Sequence, residues 1–273
     1  MLEPSGVSKR AEGIRPFIVM DVVARAGELE AAGRDIVHLE IGDPDFPTPD
    51  VIVRAAESSM AGGDTGYTQS LGLPDLRDAI TMTMRSTYGV EVDPADIVVT
   101  QGTSPAMLLL FGSILDPGDE VIMPDPCYPA YPNYVSFLGG VPVPLRVHAE
   151  DGFRFRIEDV ERAITSRTRA IMVNSPANPT GGVLGPEDLE ALAALAERHG
   201  VWLASDEIYH GLVYEGVAET VHDPAARRHA AALMRVNLQA TVVPDPAHPK
   251  LLGVVQVKVD PSTFDDEAKS RFL

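Results

Sequence analysis

Asp206 and Tyr209 stand three residues apart in "SDEIYHGLVY" (205–214), directly after the apolar run Val201-Trp202-Leu203-Ala204. A carboxylate and a phenol at the end of a buried strand admit two readings. In the structural one, Asp206 caps a short helix and Tyr209 packs beside it. In the chemical one, Asp206 faces a basic ring nitrogen and favours its charged form. Tyr209 then hydrogen-bonds a phenolate-like oxygen on the same ring.

Three other stretches carry related chemistry. In "TQGTSPAM" (100–107) a strand enters a Gly-containing turn and then a helix. The free N–H groups and dipole of a helix start suit a phosphate, and Thr103 and Ser104 add hydroxyl donors. In "PDPCYPAY" (124–131) two prolines bracket a turn that puts Tyr128 at a strand end, where its face can stack on a planar ring. In "NSPANPTGG" (174–182) Asn178 precedes a proline, which biases its backbone towards the extended region, and its amide can donate to a ligand oxygen. Each stretch also has a structural reading: a common Gly/Ser turn, a packed tyrosine, an asparagine used for turn chemistry.

These residues need elements to hold them, and the pattern supplies an alternation of helices and strands. Helices are expected over 21–32, from Thr48 (N-cap) and Pro49 (first helical position), from Leu73-Pro74 to before Gly89, from the 100–107 turn to about Leu115, and over 130–138, 157–165 and 186–199. Strands are expected over 35–41, 97–100, 120–123, 141–147, 169–174 and 201–204. Such alternation predicts an α/β fold, a three-layer αβα arrangement around a mostly parallel sheet. Ligands of these sheets bind at the carboxyl ends of the strands, which is where the four motifs fall.

Bulk properties narrow the class. A net charge of −18 argues against nucleic acid or an anionic membrane as partner. The single Cys127 excludes a disulfide framework within the chain and fits a reducing compartment, hence a cytoplasmic protein. No stretch reads as a signal peptide, a transmembrane helix or a metal-ligand cluster. A nucleotide-binding α/β protein is the alternative fold reading, but neither GxGxxG nor GxxxxGK[ST] occurs.

Taken together the four motifs describe one ligand, with a phosphate, a stackable ring, an acidic ring oxygen and a basic ring nitrogen. Pyridoxal 5′-phosphate has all four. The motifs "GDPDFPTP" (42–49), "GYTQSLGLPDLRDAI" (66–80), "TQGTSPAM", "DPGDEVIMPDPCYPAY" (116–131), "NSPANPTGGV" (174–183) and "SDEIYHGLVYEG" (205–216) occur in one order. In that order and spacing the chain resembles the large domain of fold-type I, class I/II aminotransferases. The resemblance implies amino transfer between an amino acid and a 2-oxo acid, in a homodimer. It implies that Asp206 pairs with the pyridine nitrogen, Tyr209 and Asn178 hold the 3′-oxygen, and Tyr128 stacks on the ring. Thr103 and Ser104 would bind the phosphate, Tyr67 would reach the phosphate of a neighbouring subunit, and Gly42 would lie near the substrate carboxylate. It also implies a division into an N-terminal segment (1–33), a cofactor-binding portion (34–215) and a divergent C-terminal segment (216–273), with the small C-terminal domain largely missing.

One part of the pattern departs from the family. Enzymes of this kind hold the cofactor as a Schiff base on a lysine, which also moves the substrate proton. The chain has four lysines, Lys9, Lys250, Lys258 and Lys269, and the corresponding window reads "VNLQATVV" (236–243). The catalytic lysine is therefore unassigned, with Lys250 as the candidate substitute. A non-catalytic, cofactor-binding or dimerising relative and the product of an altered gene are the alternatives. Residues 232–243 and 251–259 read as strands around a 244–249 turn, followed by a helix start at 262–273. They either complete the sheet or form an unrelated ending.

Overall fold

The computed structural model describes residues 6–42, 47–210 and 212–213, together with the backbone of two strands at 233–237 and 256–258. Helices are α1 (Lys9–Glu12), α2 (Ile18–Ala31), α3 (Asp50–Ala61), α4 (Pro74–Tyr88), α5 (Thr103–Ile114), α6 (Tyr131–Phe137), α7 (Ile157–Ala163) and α8 (Pro186–His199). Strands are β1 (Ile97–Val99), β2 (Glu120–Asp125), β3 (Val141–Arg146), β4 (Thr168–Asn174), β5 (Trp202–Asp206), β6 (Leu233–Asn237) and β7 (Gln256–Lys258).

One sheet joins all seven strands in the order β1-β7-β6-β5-β4-β2-β3. The pairs from β3 to β6 are parallel, while β7 runs antiparallel to both β6 and β1. β6 and β7 stand between β5 and β1 and complete the middle of the sheet, so these strands have no unpaired edge there.

Strand alternation divides the core into two layers. Val121 and Met123 of β2, Met172 of β4 and Ala204 of β5 pack against Met107, Leu110 and Phe111 of α5 and Tyr131 and Val135 of α6. The intervening residues Ile122, Ile171, Val173 and Leu203 pack against Val160 of α7 and Leu189, Leu192 and Leu195 of α8. A third cluster holds Leu76, Ile80 and Met84 of α4 against Ile97 of β1. Burying strands on both faces explains their continuous apolar runs.

The expected α/β three-layer arrangement is observed, and the differences are one expected strand that does not form and shifts at element ends. Helix α3 begins at Asp50, with Pro49 rather than Thr48 at the cap and no side-chain cap bond. Pro49 has an extended ψ of 135°, so the helical turn starts one residue later. Residues 35–41 form no strand; Val37 and Leu39 are 80% and 89% exposed, with no ladder partner among the described residues. β5 starts one residue late and runs on to Asp206, past the expected end at Ala204. The 244–249 turn and the 262–273 helix lie outside the described residues.

Candidate active site

β4, β5 and β6 end level with one another, Asn174 beside Asp206 and Asp206 beside Val236. Asp206 lies two residues beyond Ala204 and so points to the same face, towards α6. There the Tyr131 hydroxyl donates to Asp206 Oδ2 at 2.7 Å. The Ile208 N–H donates to Oδ1 at 3.1 Å. Asp206 is 3% exposed. Burial pushes its carboxyl up to about 6, against the two hydrogen bonds that lower it. Both donors are neutral, and among the described residues no cation contributes to the balance of this buried carboxylate. A carboxylate held in this state at the end of a parallel sheet is a candidate functional group.

Asn174 links the neighbouring loop to Asp206. Its Nδ2 donates to the Asp206 carbonyl at 2.9 Å, and its Oδ1 accepts from the Asn178 N–H at 2.7 Å. The backbone of Asn178 is thus fixed one residue away from the Asp206 carbonyl. Its other surroundings include Cys127, whose thiol is pushed up to about 11 by burial and then by Asp125. That thiol stays protonated and unreactive at neutral pH.

Tyr128 precedes α6 and is half-buried. Its ring meets Tyr131 edge-on at 5.4 Å between centroids, and Phe17 at the start of α2 at 5.8 Å. Burial raises its phenol, and the nearby Tyr134, Tyr209 and Asp206 add to the rise. Tyr128 therefore lies close to both Tyr209 and Asp206.

The amino end of α5 meets α6 through Ser104 and Tyr134, and Tyr134 lies near Tyr128. Gly102 takes a φ of 103° at its N-cap, a conformation that favours glycine, and no side chain caps the first turn. Thr103 opens the helix, half-buried. Ser104 is not open to a ligand alone: its hydroxyl lies 2.6 Å from that of Tyr134 on α6, either of which can donate.

Two expected site residues lie at the surface. The Tyr67 ring is fully exposed, and Gly42 is exposed with nothing within 4 Å of its Cβ position. Lys250 lies outside the described residues, and Lys258 is placed only as backbone in β7, opposite Ile97 and Arg235. The sequence reasoning missed Tyr131, Asn174 and Tyr134. Tyr131 follows Tyr128 by three residues and Asn174 precedes Asn178 by four, spacings that bring side chains together in a turn or helix.

A sequence model of the family "Aminotransferase class I and II" matches residues 34–247. The chain belongs to the class I and II aminotransferase family. Among curated relatives it is 46% identical over 211 residues to an aspartate/prephenate aminotransferase of Thermus thermophilus, covering 77% of this chain and 55% of the relative. Among solved structures it resembles the aspartate aminotransferase from Thermus thermophilus with maleate, at 44% identity and a TM-score of 0.80 over 85% of this chain and 60% of that one. A tetra mutant of that enzyme complexed with tryptophan matches at 40% identity and a TM-score of 0.85, over 98% and 67%. This aminotransferase-family chain spans about half the length of the curated relatives it matches.

Proposed function

We propose that this aminotransferase-family chain binds pyridoxal 5′-phosphate at the carboxyl ends of β4 and β5, within residues 34–215, and takes part in amino transfer between an amino acid and a 2-oxo acid. The observation that carries the proposal is Asp206, a buried carboxylate held by two neutral donors and raised to about 6. Its chemistry fits a basic ring nitrogen, because a cation at that point offsets the burial penalty of the charged form. When bound, the cofactor supplies an electron sink for the bonds at the substrate α-carbon.

The chain's own residues bind and orient. Asp206 keeps the ring nitrogen protonated, and Tyr131 holds its Oδ2 in place. Tyr209 and Asn178 serve the ring oxygen, and Tyr128 covers one ring face. Thr103, Ser104 and the uncapped first turn of α5 hold the phosphate. Gly42 belongs to the substrate carboxylate side. Tyr67 completes the phosphate site of a second subunit in a homodimer, and its exposed ring is available for that. The single Cys127 supports a cytoplasmic setting. No helix among the described residues is long and apolar enough to cross a membrane. The relatives' names make aspartate and prephenate the first substrates to test.

A second reading, reversible cofactor binding without covalent attachment, is favoured by one observation: no lysine occurs between Lys9 and Lys250. Borohydride reduction in the presence of pyridoxal 5′-phosphate, followed by peptide mapping, separates the two. A reduced adduct on Lys250 or Lys258 supports the enzyme. Saturable binding with no labelled lysine supports the non-covalent relative. No binding overturns both.

A further inference from the structure

Residues 205–210 alternate between two roles. Asp206 and Tyr209 face the site just described; Ser205, Glu207 and His210 are buried elsewhere. His210 Nε2 lies 2.6 Å from the Tyr88 hydroxyl, at the last residue of α4 and 122 positions earlier in the chain. The two rings also meet edge-on, 5.2 Å between centroids at 74°. Nδ1, the other ring nitrogen, is 3.8 Å from Glu207 Oε2. The Ser205 hydroxyl donates to Glu207 Oε1 at 3.1 Å.

The chemistry of the neighbours assigns the protons. At 3.8 Å the Glu207 carboxyl is too far from Nδ1 for a hydrogen bond, but its field favours the Nδ1–H tautomer. Nε2 is then the acceptor, and the Tyr88 hydroxyl donates to it. Burial lowers the pKa of His210, in keeping with a neutral ring. Three buried polar groups and the part-buried Tyr88 hydroxyl are an inefficient way to add stability, and such a line suits the specification of one arrangement.

That arrangement bears directly on the site. The His210 N–H bonds the Glu207 carbonyl at 2.9 Å, and the Leu212 N–H bonds the Tyr209 carbonyl at 2.9 Å. The Ile208 N–H bonds Asp206 Oδ1. The turn is short enough that a shift at His210 moves Tyr209 and, through Ile208, turns the Asp206 carboxylate. Tyr88 provides an anchor outside the turn, on a helix fixed by its own core of Leu76, Ile80 and Met84.

We infer that Tyr88 and His210 are positioning residues: the clasp between α4 and His210, completed by Glu207 and Ser205, sets the 206–209 turn so that Asp206 and Tyr209 meet the cofactor ring together. The inference rests on the proposed function for its consequence, though the clasp itself is testable without the cofactor. The variants are Tyr88→Phe and His210→Phe, which keep the rings and lose the hydrogen bond, and His210→Gln, which restores an acceptor. The readouts are pyridoxal 5′-phosphate affinity by absorbance titration and amide hydrogen exchange of the cofactor-free chain. Tyr88→Phe and His210→Phe are expected to weaken binding about tenfold. They should also speed exchange at Ile208 and His210 while leaving β4 protected. His210→Gln should recover most of both. Unchanged affinity and exchange in Tyr88→Phe overturn the inference. So does a loss spread equally over β4, which would mark general destabilisation. If the unaltered chain binds no cofactor, the proposed function falls, and exchange at Ile208 and His210 alone decides on the clasp.

Discussion

The Tyr131 hydroxyl donates to Asp206 Oδ2 across 2.7 Å, joining residues 75 apart in sequence at the point where β5 meets α6. The bond lowers the Asp206 carboxyl, while burial, the larger effect, raises it to about 6. An acid held in this balance costs stability in the empty protein and becomes favourable when a cation arrives.

Asp206→Asn should stabilise the cofactor-free chain at neutral pH and abolish tight cofactor binding. The carboxyl is raised in the folded state from 3.8 to about 6. Its stabilising contribution is therefore complete below about pH 4 and is lost as pH rises through 6. Asparagine carries no charge, and the Tyr131 hydroxyl can turn to accept from its amide. The variant is expected to exceed the unaltered chain by up to about 3 kcal/mol above pH 6.5, with the difference closing towards pH 4. Urea melts across that pH range check it.

Tyr131→Phe removes one of the two donors that lower the Asp206 carboxyl. The carboxyl should rise further, so cofactor binding should require a higher pH. At fixed pH 7 the affinity is expected to fall about five- to tenfold. Titrations with pyridoxal 5′-phosphate at several pH values would show the midpoint of binding moving upward.

Asn174→Ala leaves the Asp206 carbonyl and the Asn178 N–H without the side chain that joins them. Asn174 is buried, so the loss should destabilise the chain by about 1–3 kcal/mol. Affinity should fall as well, because Asn178 and Asp206 are no longer held together. Chemical denaturation paired with cofactor titration separates the two effects.

Glu120 supplies the contrast at the opposite end of the sheet. Its Oε2 accepts from the Thr165 hydroxyl at 2.5 Å, and its Oε1 accepts from Arg167 Nε at 3.0 Å. The Thr165 hydrogen bond first, then Arg167, hold its carboxyl below the usual range. That stability is present above the ordinary carboxylate range and is lost as pH falls through the lowered pKa. Glu120→Gln should cost about 1–2 kcal/mol at neutral pH and leave cofactor affinity unchanged. A change in affinity would contradict the placement of the site at the carboxyl ends alone.

Much of this was legible in the sequence where local rules decide. Helix α8 was bounded to the residue, because Pro186 sits at a first-turn position and Gly200 takes the left-handed φ of 64° that stops a helix. The strands of the sheet centre were readable from their apolar runs. Pairing was not. The alternation over 35–41 resembles a strand, yet a strand needs a neighbour, and sequence does not supply one. Among site residues, Asp206, Tyr209, Tyr128 and Asn178 stood out because their motifs sit at strand ends. Tyr131 did not, since inside a helix a buried tyrosine looks like core until the strand carrying Asp206 is brought against it. Ser104 was read as a free donor, and its engagement with Tyr134 depends on how α5 and α6 pack.

The most direct test is equilibrium titration of the purified chain with pyridoxal 5′-phosphate, followed by absorbance, for the unaltered protein and for Asp206→Asn side by side at pH 7.5. Saturable one-to-one binding is expected in the unaltered chain and its loss in the variant, although the variant is expected to be the more stable protein. Equal binding by both, or none by the unaltered chain, would contradict it.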